Sequence, residues 1–220
     1  MALQYGMAIG LEIMAEVITN WINDYRRWLS ESESLNNAQL VVNHFIGSDW
    51  SKASLSAMLG NMRHESSINP NMYEYGYGWE EDRGFGLVQW TPRSKYWDWA
   101  LSEGYSIDEL RDGRPQLARI DYEAENNIQW IPRESYGNMT FSEFRQNAGN
   151  WDLDYLTEAF TWGYERPNEE AGWESMPGRK AFALRCFNEL DWTGTPSPPV
   201  PVESKDEIIT LLLCGALNGW

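Results

Sequence analysis

The sequence predicts a mainly α fold with a small β-hairpin beside a cleft, an additional N-terminal helix and an extended C-terminal tail. Apolar residues recur every three or four positions through most of the chain, which is typical of amphipathic helices. Residues 73–79 instead alternate aromatic side chains with glutamate and glycine, which indicates a strand. Four prolines within residues 193–204 indicate a stiff linker. A length of 220 residues suits one domain with appendages.

Residues 1–33 predict a helix that docks on the domain or on an assembly partner. Its apolar side consists of Ile9, Ile13, Val17, Trp21 and Trp28. Glu12 and Glu16 interrupt the apolar run, so neither a signal peptide nor a membrane span is expected. The polar run at residues 30–34 predicts a break, after which the main domain extends over residues 34–192.

A helix over about residues 51–66 carries the acid on which the functional prediction depends. Its apolar face consists of Leu55, Met58, Leu59 and Met62, and Asn69-Pro70 ends it. Glu65 lies beside this face in the last turn, where desolvation and the helix dipole both favour a protonated carboxyl. A general acid requires such a group. The alternative is a surface glutamate at a helix end.

The residues after this helix predict the hairpin. A strand over residues 73–79, an acidic turn over residues 80–84 and a second strand over residues 85–90 follow one another. Thr91 and Pro92 then suit the N-cap and first position of the next helix. A hairpin in this position can fold back over Glu65 and form a cleft.

Helices are predicted for most of the rest of the domain. The expected segments are residues 35–46, 92–101, 115–130 and 153–164, capping boxes at 106–109 and 140–143, a loop at 172–178 and a closing helix at 179–190. Beyond the linker, residues 205–220 form an apolar tail that is too short to cross a membrane.

Two motifs carry a family resemblance. They are Glu-Ser-x-x-Asn-Pro at residues 65–70 and Gly-x-Gly-Leu-x-Gln at residues 84–89. Together they resemble the phage tail lysozyme family of the lysozyme-like superfamily, which is related to lytic transglycosylases. The resemblance extends from about residue 35 to residue 190 and includes Tyr-Glu-Arg-Pro at residues 164–167. It implies a mainly α, α+β lysozyme-like fold and a peptidoglycan hydrolase domain.

A glycosidase needs an acid and a second group on the other face of the sugar. Glu65 is the predicted acid. Glu80, Glu81 and Asp82 are candidates for the second group, and Asp82 is favoured because it lies nearest the glycines at 84 and 86. Glu81 is retained as a substrate contact. The alternative is that all three are solvated turn charges.

Several further residues are predicted to contact the sugar. Gln89 is expected to project from the second strand toward a sugar or a water. Candidate sugar platforms are Tyr75, Tyr77, Trp79 and Trp90. In transglycosylase relatives a tyrosine of a late helix approaches the acid, which makes Tyr164 a further candidate. The chain contains thirteen tryptophans and eleven tyrosines. The alternative is that these aromatic residues form the core or an assembly interface.

Composition excludes several classes of function. A net charge of −16 argues against binding to nucleic acid. The same charge gives the chain no electrostatic attraction to anionic wall polymers. Delivery to the wall by a virion would make such attraction unnecessary. Two histidines do not suit a zinc peptidase, and no metal or cofactor is expected. Cys186 and Cys214 flank the linker and are expected to be free thiols.

The resemblance therefore implies a muramidase of a phage tail that opens the host cell wall, with peptidoglycan as substrate. The N-terminal helix and the C-terminal tail are expected to contact other tail proteins. One alternative is a lytic transglycosylase that leaves 1,6-anhydro ends. Others are a non-catalytic tail protein with this fold and a cysteine peptidase using Cys186.

Overall fold

The computed structural model describes residues 20–74 and 82–194. This part of the chain contains seven α-helices. They are α1 (Glu31–Phe45), α2 (Lys52–Ser66), α3 (Ser94–Ser102), α4 (Gly113–Asn126), α5 (Phe141–Gln146), α6 (Leu153–Phe160) and α7 (Glu169–Glu189). Two 3₁₀ turns, Glu109–Arg111 and Glu134–Tyr136, and one π-helical turn, Thr161–Glu165, lie between them. The predicted mainly α, lysozyme-like class is confirmed.

Helix α2 lies at the centre of the domain, and every residue from 54 to 62 is buried. It packs chiefly on α7 and α6. Gly60 permits the close approach to α7, because a Cβ there would lie 2.3 Å from the carbonyl oxygen of Arg179. The helix predicted at 51–66 is confirmed, and α2 is buried on more sides than its apolar stripe indicated.

The N-terminal prediction needs correction over residues 20–30, which are not helical. Helix α1 begins inside the predicted polar break, because Ser30 and Glu33 form a capping box. The segment before it packs on the domain through buried amides: Asn37 Nδ2 donates to Ile22 O, and Asn69 Nδ2 donates to Asp24 O. Residues 1–19 of the predicted helix lie outside the described residues.

The prediction of a second strand over residues 85–90 is wrong. Residues 86–89 form a turn, and Phe85 and Trp90 pair across it. Gly86 (φ +83°) and Gln89 (φ +49°) adopt left-handed conformations that reverse the chain. Tyr73 pairs with Phe85 in an isolated bridge, and Glu74 N donates to Gly84 O at 2.9 Å, while the hairpin itself stays a prediction. The connecting residues, 75–81, lie outside the described residues.

The later helices follow the predicted order with shifted ends. Helix α3 begins at Ser94, and the Thr91 hydroxyl donates to Gln89 O instead of capping a helix. The capping-box contacts at 106–109 and 140–143 are both present. The loop predicted at 172–178 is instead part of α7, whose N-cap is Asn168.

Aromatic side chains form a second part of the core. The core includes a group of buried rings in stacked, tilted and edge-to-face contacts, with centroids 4.7 to 6.2 Å apart: Trp130, Phe141, Phe144, Phe160 and Tyr164. Much of the aromatic content therefore serves the core. Within residues 20–74 and 82–194, no helix is long and apolar enough to cross a membrane. Residues 195–220, with most of the predicted linker and all of the tail, lie outside the described part.

Candidate active site

An open cavity of about 630 Å³ lies where the end of α2, the N-terminal segment, the base of the predicted hairpin and the π-helical turn meet. Its lining combines carboxyl and amide groups with arginines and aromatic rings. The polar lining includes Glu65, Glu74, Asp82, Gln89 and Glu165. A cavity of this size is in the range that accommodates small ligands.

Glu65 enters this cavity from the last turn of α2. Its side chain is 21% exposed, and its Oε1 accepts a hydrogen bond from Arg179 Nη2 at 2.6 Å. The helix ends directly after it, because Ser67 (φ +56°) and Ile68 (φ +60°) adopt left-handed conformations. The predicted acid therefore faces a concavity and not bulk solvent.

The residues after Glu65 fix the end of α2. The Ser66 hydroxyl donates to Leu87 O at 2.8 Å and thereby ties the helix to the turn that follows the hairpin. Ser67 Oγ accepts from Leu29 N at 2.8 Å, and Asn69 Nδ2 donates to Arg27 O at 2.8 Å. The residues of the Glu-Ser-x-x-Asn-Pro motif thus hold two neighbouring segments, residues 20–30 and the turn at 86–89, beside one carboxyl.

Arg179 is a buried cation that the sequence analysis did not identify. It extends from α7 across α2, and its guanidinium donates to Asn61 Oδ1 at 2.8 Å and to Ser175 Oγ at 3.0 Å besides Glu65. These bonds leave it little freedom, so it holds Glu65 in one orientation. No sequence pattern connects Arg179 with Glu65, because the contact depends on how α7 crosses α2.

Glu165 is a second carboxyl that the sequence analysis left unassigned. It belongs to the π-helical turn and lines the same cavity as Glu65. The residue is half-buried, but its Oε1 is shielded from solvent and has no hydrogen-bond partner among the described residues. Burial, and next the charge of Glu65, raise the pKa of Glu165 well above its usual value. The Tyr-Glu-Arg-Pro motif was the signal for it.

Asp82 also lines the cavity, at the base of the predicted hairpin. Its side chain is 77% exposed and lies 3.7 Å from Arg83 Nε. Nearby, Glu74 Oε2 accepts a hydrogen bond from Gly84 N at 3.0 Å. Asp82 is therefore a solvated carboxylate at the rim, while Glu81 and Glu80 lie outside the described residues.

Comparison with known proteins agrees with this geometry. A family model described as phage tail lysozyme matches residues 36–190. The chain belongs to the phage tail lysozyme family. It is also similar to Morphogenesis protein 1 of Bacillus phage B103, with 40% identity over 168 residues that make up 76% of this chain. The match covers 43% of that relative, so the chain spans less than half of its length. The family implies a peptidoglycan substrate and an association with bacteriophage.

Gln89 lines the cavity but does not extend from a strand. Its Nε2 donates to Gly86 O at 2.9 Å and to Met72 O at 3.3 Å. The side-chain oxygen of Gln89, Oε1, lies beside Gly84. A Cβ at residue 84 would lie 2.8 Å from it. The amide donor therefore stabilises the turn, and the predicted contact with sugar or water remains a prediction for the carbonyl oxygen.

The structure corrects the placement of two predicted substrate contacts, the platform residue Trp90 and the cleft candidate Tyr164. Trp90 and Tyr164 are each 1% exposed, so neither ring is available to a sugar. Both side chains donate to the buried carboxyl of Glu123, which Arg119 Nε also contacts at 2.8 Å. These residues form scaffold behind the cavity. Trp90 failed as a prediction because a large aromatic ring suits a core as well as a cleft.

The remaining predicted contacts, Tyr75, Tyr77, Trp79 and Glu81, lie outside the described residues. An exposed ring does line the cavity from the other side. Trp28 is 53% exposed and lies under the guanidinium of Arg63, 5.7 Å from the ring centroid. The docking helix predicted from the sequence includes Trp28. It becomes part of the cavity because residues 20–30 are extended along the domain.

Cys186 does not suit the cysteine peptidase alternative. It is buried in α7, and burial raises the pKa of its thiol. A nucleophilic cysteine requires a lowered pKa and access to substrate. The described part of the chain therefore offers a carboxyl site and not a thiol site.

Proposed function

We propose that the chain is a peptidoglycan-cleaving glycosidase, a muramidase carried by a phage tail that opens the host cell wall. The observation that carries the proposal is Glu65, 21% exposed in an open cavity of about 630 Å³ and fixed there by Arg179. A family member with an oriented carboxyl in such a cavity has the group that glycoside cleavage requires first.

Glu65 is the proposed general acid. Arg179 contacts Oε1, so Oε2 is the oxygen that can deliver a proton to the glycosidic oxygen. When the proton leaves, the guanidinium is already in place to stabilise the carboxylate that forms. Asp82 is the proposed second group. As an exposed carboxyl group at the rim, it is proposed to activate a water on the other face of the sugar.

Replacement of the acid tests this proposal. Glu65→Gln keeps the shape of the side chain but cannot donate a proton, so clearing of peptidoglycan in a zymogram should fall by at least about 100-fold. Glu170→Gln, which changes an exposed glutamate at the start of α7, is the matched control and should clear like the wild type. Full clearing by Glu65→Gln at native thermal stability removes Glu65 from the mechanism.

The exposure of Asp82 favours a second candidate activity. A lytic transglycosylase needs no second carboxylate, because the 6-hydroxyl of the sugar replaces water and leaves a 1,6-anhydro end. Anhydro products lack the mass of one water, so mass spectrometry of the released fragments separates the two reactions. Hydrolysed ends, lost selectively in Asp82→Asn, support the muramidase.

The name of the phage relative, Morphogenesis protein 1, favours a role in the assembled particle. We propose that residues 1–33 and the C-terminal tail contact other tail proteins and that the cavity acts on the wall from the virion. A purely structural role predicts particles that assemble normally and infect normally with Glu65→Gln. The proposed role predicts particles that assemble but enter cells poorly.

A further inference from the structure

Glu165 occupies an unusual position for an acid. The π-helical turn that carries it is fixed by its neighbours: Arg166 Nη1 donates to the carbonyl oxygens of Gly163 and Gln129, and Gly163 lies against Trp130. Arg166 is thus bonded to backbone carbonyls and makes no ion pair with Glu165 among the described residues. The turn therefore holds the Glu165 carboxyl at the cavity that Glu65 lines.

A comparison with Glu123 shows that Glu165 is not an ordinary scaffold acid. The Glu123 carboxyl is also buried, but it accepts hydrogen bonds from Arg119, Trp90 and Tyr164. Glu165 Oε1 is buried without such a donor among the described residues. Burying one carboxylate oxygen without a donor is costly, so the protonated form of Glu165 is favoured.

Only one cation bonds directly to this pair of acids within the described residues. Arg179 donates to Glu65 Oε1, and its other bonds go to the neutral side chains of Asn61 and Ser175. Two carboxylates beside one guanidinium leave an excess negative charge in a partly buried site. One proton on the pair removes that excess.

We propose that Glu165 forms a carboxyl pair with Glu65 that holds one proton beside Arg179. Glu165 is then a positioning residue that acts through Glu65 and does not contact the sugar. The proposal deepens the glycosidase function and rests on it for its catalytic meaning.

The pair has a direct consequence for the bond-breaking step. The proton passes from the pair, through Glu65, to the glycosidic oxygen, and the C–O bond breaks with its electron pair on that oxygen. The pair changes from one negative charge to two while positive charge develops on the sugar carbon, so the transition state is stabilised electrostatically. Water then supplies hydroxide to that carbon, and its proton restores the pair.

Other charges act on the pair from each surrounding element. Glu123 on α4 raises the pKa of Glu165, whereas Arg179 and Arg166 lower it. His64 precedes Glu65 on α2, and burial, followed by Arg179, lowers the pKa of its imidazole. The pKa of Tyr164 is raised well above its usual value by burial, so its hydroxyl remains neutral. The outer part of the cavity carries Arg26, Glu74, Asp82 and Arg83.

Carboxyl ¹³C NMR titration of the full chain tests the pair without reference to activity. In the wild type, both the Glu65 and Glu165 signals should respond to two titration steps. In Glu165→Gln, the Glu65 signal should show one step, at a pH lower by about one unit or more than the upper step of the wild type. Glu170→Gln should leave both signals unchanged. A Glu65 signal that titrates identically in wild type and Glu165→Gln overturns the proposal.

Two further measurements separate the possible failures. The alkaline limb of the kcat/KM profile should move to lower pH in Glu165→Gln, by as many pH units as the Glu65 titration moves. A purely structural role does not produce this shift. If Glu165→Gln does not fold, Glu65→Gln provides the reciprocal test, since the Glu165 signal should then move to lower pH. If the Glu65 and Glu165 titrations are coupled but the protein cleaves no glycan, the carboxyl pair is supported and the glycosidase function is refuted. If the protein cleaves glycan but Glu65 and Glu165 titrate independently, only the carboxyl pair is refuted.

Discussion

Arg179 is the residue on which the orientation of Glu65 depends. Replacement by methionine keeps much of the volume but leaves Glu65 Oε1 and Asn61 Oδ1 without their donor. Because the arginine side chain is only 1% exposed, we expect Arg179→Met to lower the free energy of unfolding by about 3 kcal/mol. Urea unfolding at neutral pH measures the loss.

Arg185 provides the control for this substitution. It lies on the same helix, and its ion pairs with Glu31 and Glu189 are at the surface. Exposed ion pairs contribute little to stability, so Arg185→Met should unfold at nearly the wild-type urea concentration. Equal losses in the two variants would show that burial of Arg179 does not determine its contribution.

Glu165 makes the stability of the protein depend on pH. Burial raises its pKa in the folded state, so above about pH 4.5 the folded protein retains a proton that the unfolded chain has released. The free energy of unfolding therefore falls as pH rises from that value to the pKa of the folded state. In Glu165→Gln this fall should be smaller, which urea unfolding across the same pH range would show. Parallel curves for the two proteins would mean that Glu165 is ionised when folded.

The sequence reveals the site residues unequally. Glu65 was predictable because its position at a helix end, beside an apolar stripe, is a local property. Arg179 reaches Glu65, and Glu165 reaches the cavity, only through the packing of α7 and the π-helical turn on α2, which no local pattern records. Trp90 shows the opposite error, since its residue type suits a cleft but its ring packs on Tyr96 in the core, 4.9 Å between centroids.

The contact between α2 and α7 determines both stability and the geometry of the site. Gly60→Ala places a Cβ against the carbonyl oxygen of Arg179 and the side chain of Ala183. Neither neighbour can rotate away, so the helices must separate, and we expect a loss of about 1–3 kcal/mol in the free energy of unfolding. Arg179 would shift with α7, so kcat should fall as well.

Gly178→Ala is the matched control because it makes the same change on the other helix. Nothing lies within 4 Å of a Cβ at residue 178. Alanine also favours a helix interior over glycine, so this variant should be more stable by about 0.5–1 kcal/mol. Similar destabilisation of both variants would show that the Gly60 contact is not tight.

Elements with local signals were predictable, and those that depend on tertiary contacts were not. The capping boxes at 106–109 and 140–143 form because each joins residues three apart. The loop predicted at 172–178 is helical despite Gly172, Pro177 and Gly178, because Gly172 packs on Trp162 and the helix continues along α2. The strand predicted at 85–90 failed because Gly86 and Gln89 take left-handed conformations.

At the scale of the whole molecule, the net charge of −16 opposes approach to a wall that carries anionic polymers. A particle that carries the chain to the wall would overcome this repulsion. For the isolated chain, we expect clearing of intact walls to speed up as salt rises toward about 0.15 M, because screening shortens the range of repulsion to about 8 Å.

The same walls stripped of their anionic polymers provide the control, since they remove the repulsion and leave the glycan in place. On stripped walls the initial rate should be higher and nearly independent of salt over this range. If salt slows clearing on both substrates, attraction and not repulsion governs binding, and the surface around the cavity must then contain a local basic patch that outweighs the total charge.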